Sequence, residues 1–435
     1  MIPIPHGPRP NRMDRRPPGR ARLVLVTLDA SSSEPRSRGQ WARLITAIYG
    51  PTLLASIGFG AIIPLIPLQA TALGAPTGLA AFITALPGIA MLAFDLPAGT
   101  IAVRIGERLS IVAACLLDAL MLVAVYLANS LPVLALAVFI HGTTGSIFGL
   151  ARQSYLTEAI PVQYRARGMS SLGGVFRVGG FVGPLAASAL LARGEIRDAF
   201  IFAACTSLVA AAVTMGLPAL PSDRGKVVNE AGEAARTLPV LATNKSTLLT
   251  VGIGCLALMM LRASRQTIVP LWAEANGLSP STVSLLYAVS MGFDVLLFFP
   301  GGAIMDRFGR WWVCVPTAFA LALCIAALPL AKTAFSITVV AALLGIGNGV
   351  SSGIVLTLGA DAAPRFGRSQ FLAGWRLLAD SGQMIGPLII SGVAALSGLG
   401  AAAIVIGALG LAGGAWLAKW VPRTPEALAR FQADN

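Results

Sequence analysis

A chain of 435 residues with 56% hydrophobic and only 12% charged residues is too apolar for a soluble domain, where roughly a quarter of residues carry charge. Mean hydropathy is +0.77, and the apolar residues fall in blocks of about 20, the length of a helix crossing a ~30 Å hydrocarbon core. The net charge of +13 would suit a nucleic-acid partner, but the arginines sit in an N-terminal arm and in alternate loops, which is the pattern that orients a membrane protein.

Residues 1–43 form a Pro-, Arg- and Ser-rich arm without helical period, read as disordered and cytoplasmic. Its apolar run Leu23–Leu28 is too short for the core of a signal peptide. Twelve spans are predicted at 44–69, 78–101, 107–128, 131–154, 168–191, 197–217, 247–271, 281–304, 311–331, 334–358, 369–394 and 399–421. The fold class is therefore an all-α membrane protein with twelve transmembrane helices. A charged central loop, 218–246, separates a first six-helix bundle (44–217) from a second (247–421), and 422–435 is a tail. Loops after spans 2, 4, 8 and 10 carry Arg104/Arg108, Arg165/Arg167, Arg307/Arg310 and Arg365/Arg368, which places both termini and the central loop in the cytoplasm.

The two bundles repeat. Gly302-Ala-Ile-Met-Asp306-Arg307-Phe-Gly309-Arg310 has a counterpart 203 positions earlier, Gly99-Thr-Ile-Ala-Val103-Arg104-Ile-Gly106, followed by Glu107 and Arg108. The same offset relates Gly179 to Gly382, Gly183-Pro184 to Gly386-Pro387, Glu158 to Asp361 and Gly74 to Gly277. A register held along nearly the whole chain means a duplicated unit.

No metal or cofactor is expected. Cys115, Cys205, Cys255, Cys314 and Cys324 lie in apolar segments with no C-x-x-C and no adjacent histidine, and read as packing residues. Gly345-x-Gly347-x-Gly349 lies mid-span, where small residues let helices approach, and no phosphate-binding G-x-x-x-x-G-K-[ST] exists. Gly349-Val-Ser351-Ser-Gly353 fits G-x-S-x-G by letter, but it lies within an apolar span with no strand before it to form a nucleophile elbow, so the chain does not read as an enzyme.

Twelve spans, two halves and the basic turn after spans 2 and 8 resemble the major facilitator superfamily. That family's G-x-x-x-D-R-x-G-R motif is complete at Gly302, Asp306, Arg307, Gly309 and Arg310; the first copy keeps Gly99, Arg104, Gly106 and Arg108 but has Val103 at the acid position. The resemblance implies that this turn latches neighbouring helices in one state of a transport cycle. Gly179, Gly183 and Pro184 of span 5 are similar to the G-x-x-x-G-P of the family's drug antiporters, although small residues and a proline also serve simple helix packing. Together these features imply a secondary transporter, acting as a monomer in a bacterial inner membrane. It would export small amphipathic or drug-like molecules in exchange for protons, with an anionic metabolite as the alternative cargo. A non-transporting membrane sensor or a membrane-embedded enzyme is the alternative from another class.

Charged residues at membrane depth cost about 2.5–3.5 kcal/mol on insertion scales and need a partner or a task. In the superfamily, spans 5 and 8 face each other, as do spans 2 and 11. At matching depth, Arg177 is expected to pair with Asp294, and Asp95 with Arg376, as gates between the halves or as static buried pairs. Asp380 completes the Arg376 cluster or carries the coupling proton; Asp118 is the second candidate carrier, with a structural role as the alternative. His141 on span 4 titrates or packs. Arg262 and Arg265, three apart on one face of span 7, hold a substrate anion or pair with acids such as Glu274. Arg152 is expected to bond Glu158 or turn carbonyls, and Asn348 to hydrogen-bond in the cavity.

Overall fold

A computed structural model describes residues 38–160, 164–216, 239–364 and 366–423. Most of the N-terminal arm, most of the central loop and most of the tail lie outside the described residues. By contacts the chain divides into Met1–Arg43 and Leu44–Asn435; of the first unit only the start of helix Arg38–Ile62 is described.

The described residues are helical, and eleven helices are long and apolar enough to cross a membrane. The longest, Arg368–Trp420, has 53 residues, or about 80 Å at 1.5 Å per residue, far more than one crossing needs. Gly398, at φ 84° and ψ 168°, breaks it into spans 11 and 12. Among the described residues the total is thus twelve spans, as expected.

The spans are Arg38–Ile62 continued by Ile66–Ala72 (span 1), Thr77–Ile105 (2), Glu107–Leu127 (3), Leu131–Ala159 (4), Arg165–Leu191 (5) and Asp198–Met215 (6). The second half comprises a π-turn Leu248–Gly252 leading into Ile253–Ala275 (7), then Pro280–Phe308 (8), Trp311–Ala327 (9), Ala334–Val350 with Ile354–Ala362 (10), and spans 11 and 12. Two boundaries differ from expectation. Residues 239–243 and Lys245–Thr247 are helical, so helix begins inside the stretch read as central loop. Span 10 is not continuous: Ser351 and Ser352 interrupt it and Gly353 takes φ 79°, a left-handed conformation that glycine adopts without strain.

The repeat is visible in the backbone. Gly74 and Gly277 (φ 87° and 80°) form one matched pair of turns, and Gly106 and Gly309 (φ 86° and 94°) another. Span 5 lies so close to span 1 that a Cβ on Gly183 would stand 2.6 Å from the Ala61 nitrogen. Span 11 repeats this against span 7, where a Cβ on Gly386 would stand 2.7 Å from the Met260 oxygen. The small residues of the span-5 motif therefore serve close packing here.

Candidate functional site

Where the halves meet at mid-depth, charged residues of spans 5, 7 and 8 come together with polar residues of span 10. Arg177 of span 5 donates through Nη1 to Asp294 Oδ1 on span 8, and through Nη2 to Ser352 Oγ in the break of span 10. Its guanidinium also lies 5.0 Å from the Phe298 ring centre. Asp294 is 4% exposed and accepts a second bond on Oδ2 from Asn348 Nδ2 at 2.6 Å. The carboxylate thus has a partner for each oxygen.

The break in span 10 does chemical service. A helix end leaves carbonyls without intrahelical donors, and Arg262 Nη2 takes both Ser351 O and Ser351 Oγ at 2.7 Å. Arg265, 3% exposed, donates to Ser290 Oγ at 3.2 Å. Neither arginine bonds Glu274, the acid expected near them; Glu274 lies at the end of span 7 and accepts from Thr71 Oγ1 of span 1 instead. Three arginines therefore share this region with one aspartate, which only Arg177 of the three bonds, and the Nε atoms of Arg262 and Arg265 are buried without partners.

A separate cavity of about 250 Å³ is lined by residues of the first half together with Arg376 of span 11. Its walls are largely apolar, with Phe59, Met91, Phe148 and Phe176. Two of its polar groups form a pair that neither residue suggested alone. His141 Nδ1 meets Asp118 Oδ1 at 2.6 Å, and the same carboxylate accepts from Thr144 Oγ1 at 3.0 Å and Ser207 Oγ at 2.7 Å. Spans 3, 4 and 6 are joined through this acid. The His141 ring stacks on Phe59 at 5.7 Å, and its Nε2 is buried without a partner. A carboxylate fixing Nδ1–H leaves Nε2 as the atom free to take a proton.

Asp95 and Arg376 both line the cavity, but no ion pair joins them. Arg376 bonds Asp380 Oδ2 at 3.3 Å, one turn along its own helix, and Gln383 Nε2 reaches Asp380 Oδ1 at 3.0 Å. An acid at i+4 is within reach whatever the other half does, so it takes the arginine. Asp95 Oδ1 is left buried without a hydrogen bond. Arg152 also departs from expectation. Its Nε and Nη1 are buried without partners, and its guanidinium lies 5.4 Å from the Phe148 ring and 5.6 Å from that of Phe176.

The repeated basic turns differ in their bonds. Arg310 Nε donates to Asp361 Oδ2 at 2.8 Å, tying the turn after span 8 to the foot of span 10. The equivalent first-half positions, Glu107 and Glu158, are both acids, and there Glu107 accepts from Ser154 Oγ at 2.8 Å. Asp306, Arg307 and Arg104 are exposed, and no ion pair among the described residues includes them.

At the end opposite the basic turns the halves touch directly. Thr71 bonds Glu274, Ser281 Oγ donates to Ser188 O at 2.8 Å, and a Cβ on Gly78 would stand 2.8 Å from that of Ala395. The arrangement is that of a membrane transporter: two repeated bundles, charged groups bridging them at mid-depth, and a cavity between spans of one half and an arginine of the other. Comparison with known proteins agrees. The pattern described as Major Facilitator Superfamily matches residues 51–365 and 251–434, and the chain belongs to that superfamily.

An uncharacterized protein of Mycobacterium tuberculosis and one of Mycobacterium bovis are each 31% identical over an alignment of 180 residues that covers 39% of this chain. The matched stretch spans 43% of those relatives' length. Among solved structures, a D-xylose-proton symporter superposes with TM-score 0.68 at 16% identity, covering 88% of this chain and 99% of that one. The nucleoside transporter NupG gives 0.71 at 12% identity over 87% and 99%. A POT family transporter in complex with 5-aminolevulinic acid gives 0.67 at 12% identity over 85% and 94%. At these identities the likeness concerns the fold.

Proposed function

We propose that this transporter exports small amphipathic molecules in exchange for protons, by alternating access between its two halves. The observation that carries the reading is the Asp118–His141 pair in the wall of a mainly apolar cavity, with the His141 Nε2 unpartnered. Apolar walls suit an amphipathic cargo, and a histidine held by a carboxylate with its second nitrogen unpartnered suits a proton relay. Asp380, tied to Arg376, is the other candidate carrier.

In this reading the protein sits as a monomer in a bacterial inner membrane with the basic turns, both termini and the 218–246 loop on the cytoplasmic side. Bundles 44–217 and 247–421 rock against each other. The turns at Gly99, Arg104, Gly106 and Arg108 and at Gly302, Asp306, Arg307, Gly309 and Arg310 act as latches, and Gly183 and Pro184 keep spans 1 and 5 in contact. The excess of arginines (Arg177, Arg262, Arg265) over the single Asp294 in this region favours a second reading, in which the cargo is an anionic metabolite.

Inside-out vesicles loaded with the protein would be given a panel of dyes, drugs and carboxylates, with and without an imposed proton gradient. Gradient-driven accumulation supports exchange. Uptake indifferent to collapse of the gradient overturns it.

A further inference from the structure

We propose that Arg152 is an anion subsite of the cavity, so that the transported molecule carries a carboxylate or similar anionic group beside an aromatic or apolar body. The proposal rests on the transport reading above and specifies its cargo.

A buried guanidinium offers five N–H donors and cannot lose its charge, so unfilled donors at depth call for an acceptor. Arg152 lies about 10 Å in from the end of span 4 at Ala159, counting 1.5 Å per residue, and lines the cavity. Its Nε and Nη1 have no hydrogen-bond partner. The faces of Phe148 and Phe176 at 5.4 and 5.6 Å offset part of the charge and use none of the N–H donors.

The carboxylates on the same wall are committed elsewhere or stand apart. Asp118 on span 3 is taken by His141, Thr144 and Ser207. Asp380 on span 11 is taken by Arg376 and Gln383, and Asp95 on span 2 forms no ion pair with Arg152. Arg152 therefore borders the cavity with donors unspent for an oxyanion, and the two phenylalanine rings, Phe59 and Met91 form a surface for an apolar body.

The purified full chain would be titrated with three naphthalene probes of one shape: 1-naphthoate, 1-naphthamide and 1-naphthylmethylamine. Binding is read from thermal stabilisation and tryptophan fluorescence. The wild-type protein is expected to bind the carboxylate at least about tenfold tighter than the amide or amine, the scale of one charge-assisted pair. R152Q should erase that preference while still binding the amide; R152K, which keeps the charge but loses the fork, should retain part of it. Equal binding of carboxylate and amide by the wild type, a preference surviving in R152Q, or binding of none of the three probes would each overturn the subsite. The readout needs no proton gradient, so its failure is distinguishable from a failure of coupling.

Discussion

Thr71 and Glu274 hydrogen-bond each other across the two halves, and they are 203 positions apart, the offset of the internal repeat. Equivalent residues of two units related by a two-fold axis can touch only close to that axis. The contact therefore marks the axis at the end opposite the basic turns, where Ser188 and Ser281 also meet. Replacing both Thr71 and Glu274 by cysteine, in a background lacking the exposed Cys205, should allow a disulfide that stops transport until a reductant is added. Unchanged transport after complete cross-linking would mean that this end does not open.

The Arg177–Asp294 pair joins the halves at depth, and removing one partner of such a pair strands a buried charge at a cost of about 3–5 kcal/mol. R177D and D294R should each abolish transport and lower the melting temperature. The charge-swapped double variant should recover part of both. A double variant as impaired as either single one would show that the contact is incidental.

Asp118 accepts three hydrogen bonds, so D118N should be felt at His141, Thr144 and Ser207 together. The expected outcome is a flattened dependence of transport on pH, with destabilisation of about 1–3 kcal/mol for the disturbed buried bonds. S207A, which removes one donor only, should leave the pH profile intact. A D118N profile that superposes on the wild type would remove the pair from coupling.

Asp380 is expected to matter less for folding. Its arginine partner has a side chain 45% exposed, and a pair so open to solvent contributes at most about 1 kcal/mol. D380N should therefore melt close to the wild type. Coupling that survives in D380N leaves the Asp118–His141 pair as the carrier; coupling lost in D380N alone transfers the role.

Gly183 offers a packing test. A side chain there meets the backbone of span 1, which cannot turn away as a side chain could, so G183V should cost more than the ~1–3 kcal/mol usual for overpacking. Thermal unfolding would show it, and G173V, where a Cβ meets nothing within 4 Å, is the control.

The twelve spans and the duplication were legible because membrane helices must satisfy their backbone internally and announce themselves by length and apolarity. Arg177 and Asp294 could be matched because depth follows from counting residues and the superfamily pairs spans 5 and 8. The same counting would have set Asp118, 11 residues into its predicted span, near His141, 13 residues from the end of its own, at about 16 and 20 Å. Asp95 and Arg376 went wrong because depth does not choose between partners, and Asp380 sits nearer on the same helix. The interruption of span 10 was hidden by its composition: Ser-Ser-Gly within an apolar run reads as helix until the arginines that occupy it are placed. Arg152 was assigned a nearby acid by sequence distance, whereas its neighbours are rings from spans 4 and 5.

The two serines in the gap of span 10 are gripped from opposite sides of the molecule: Ser351 by Arg262 of its own half, Ser352 by Arg177 of the other. Rocking would leave the first grip intact and must release the second, and with it one partner of Asp294. Parting of the halves and the wetting of that acid would then be a single event, and the cycle would need no separate trigger to tell the carboxylate that the door had moved.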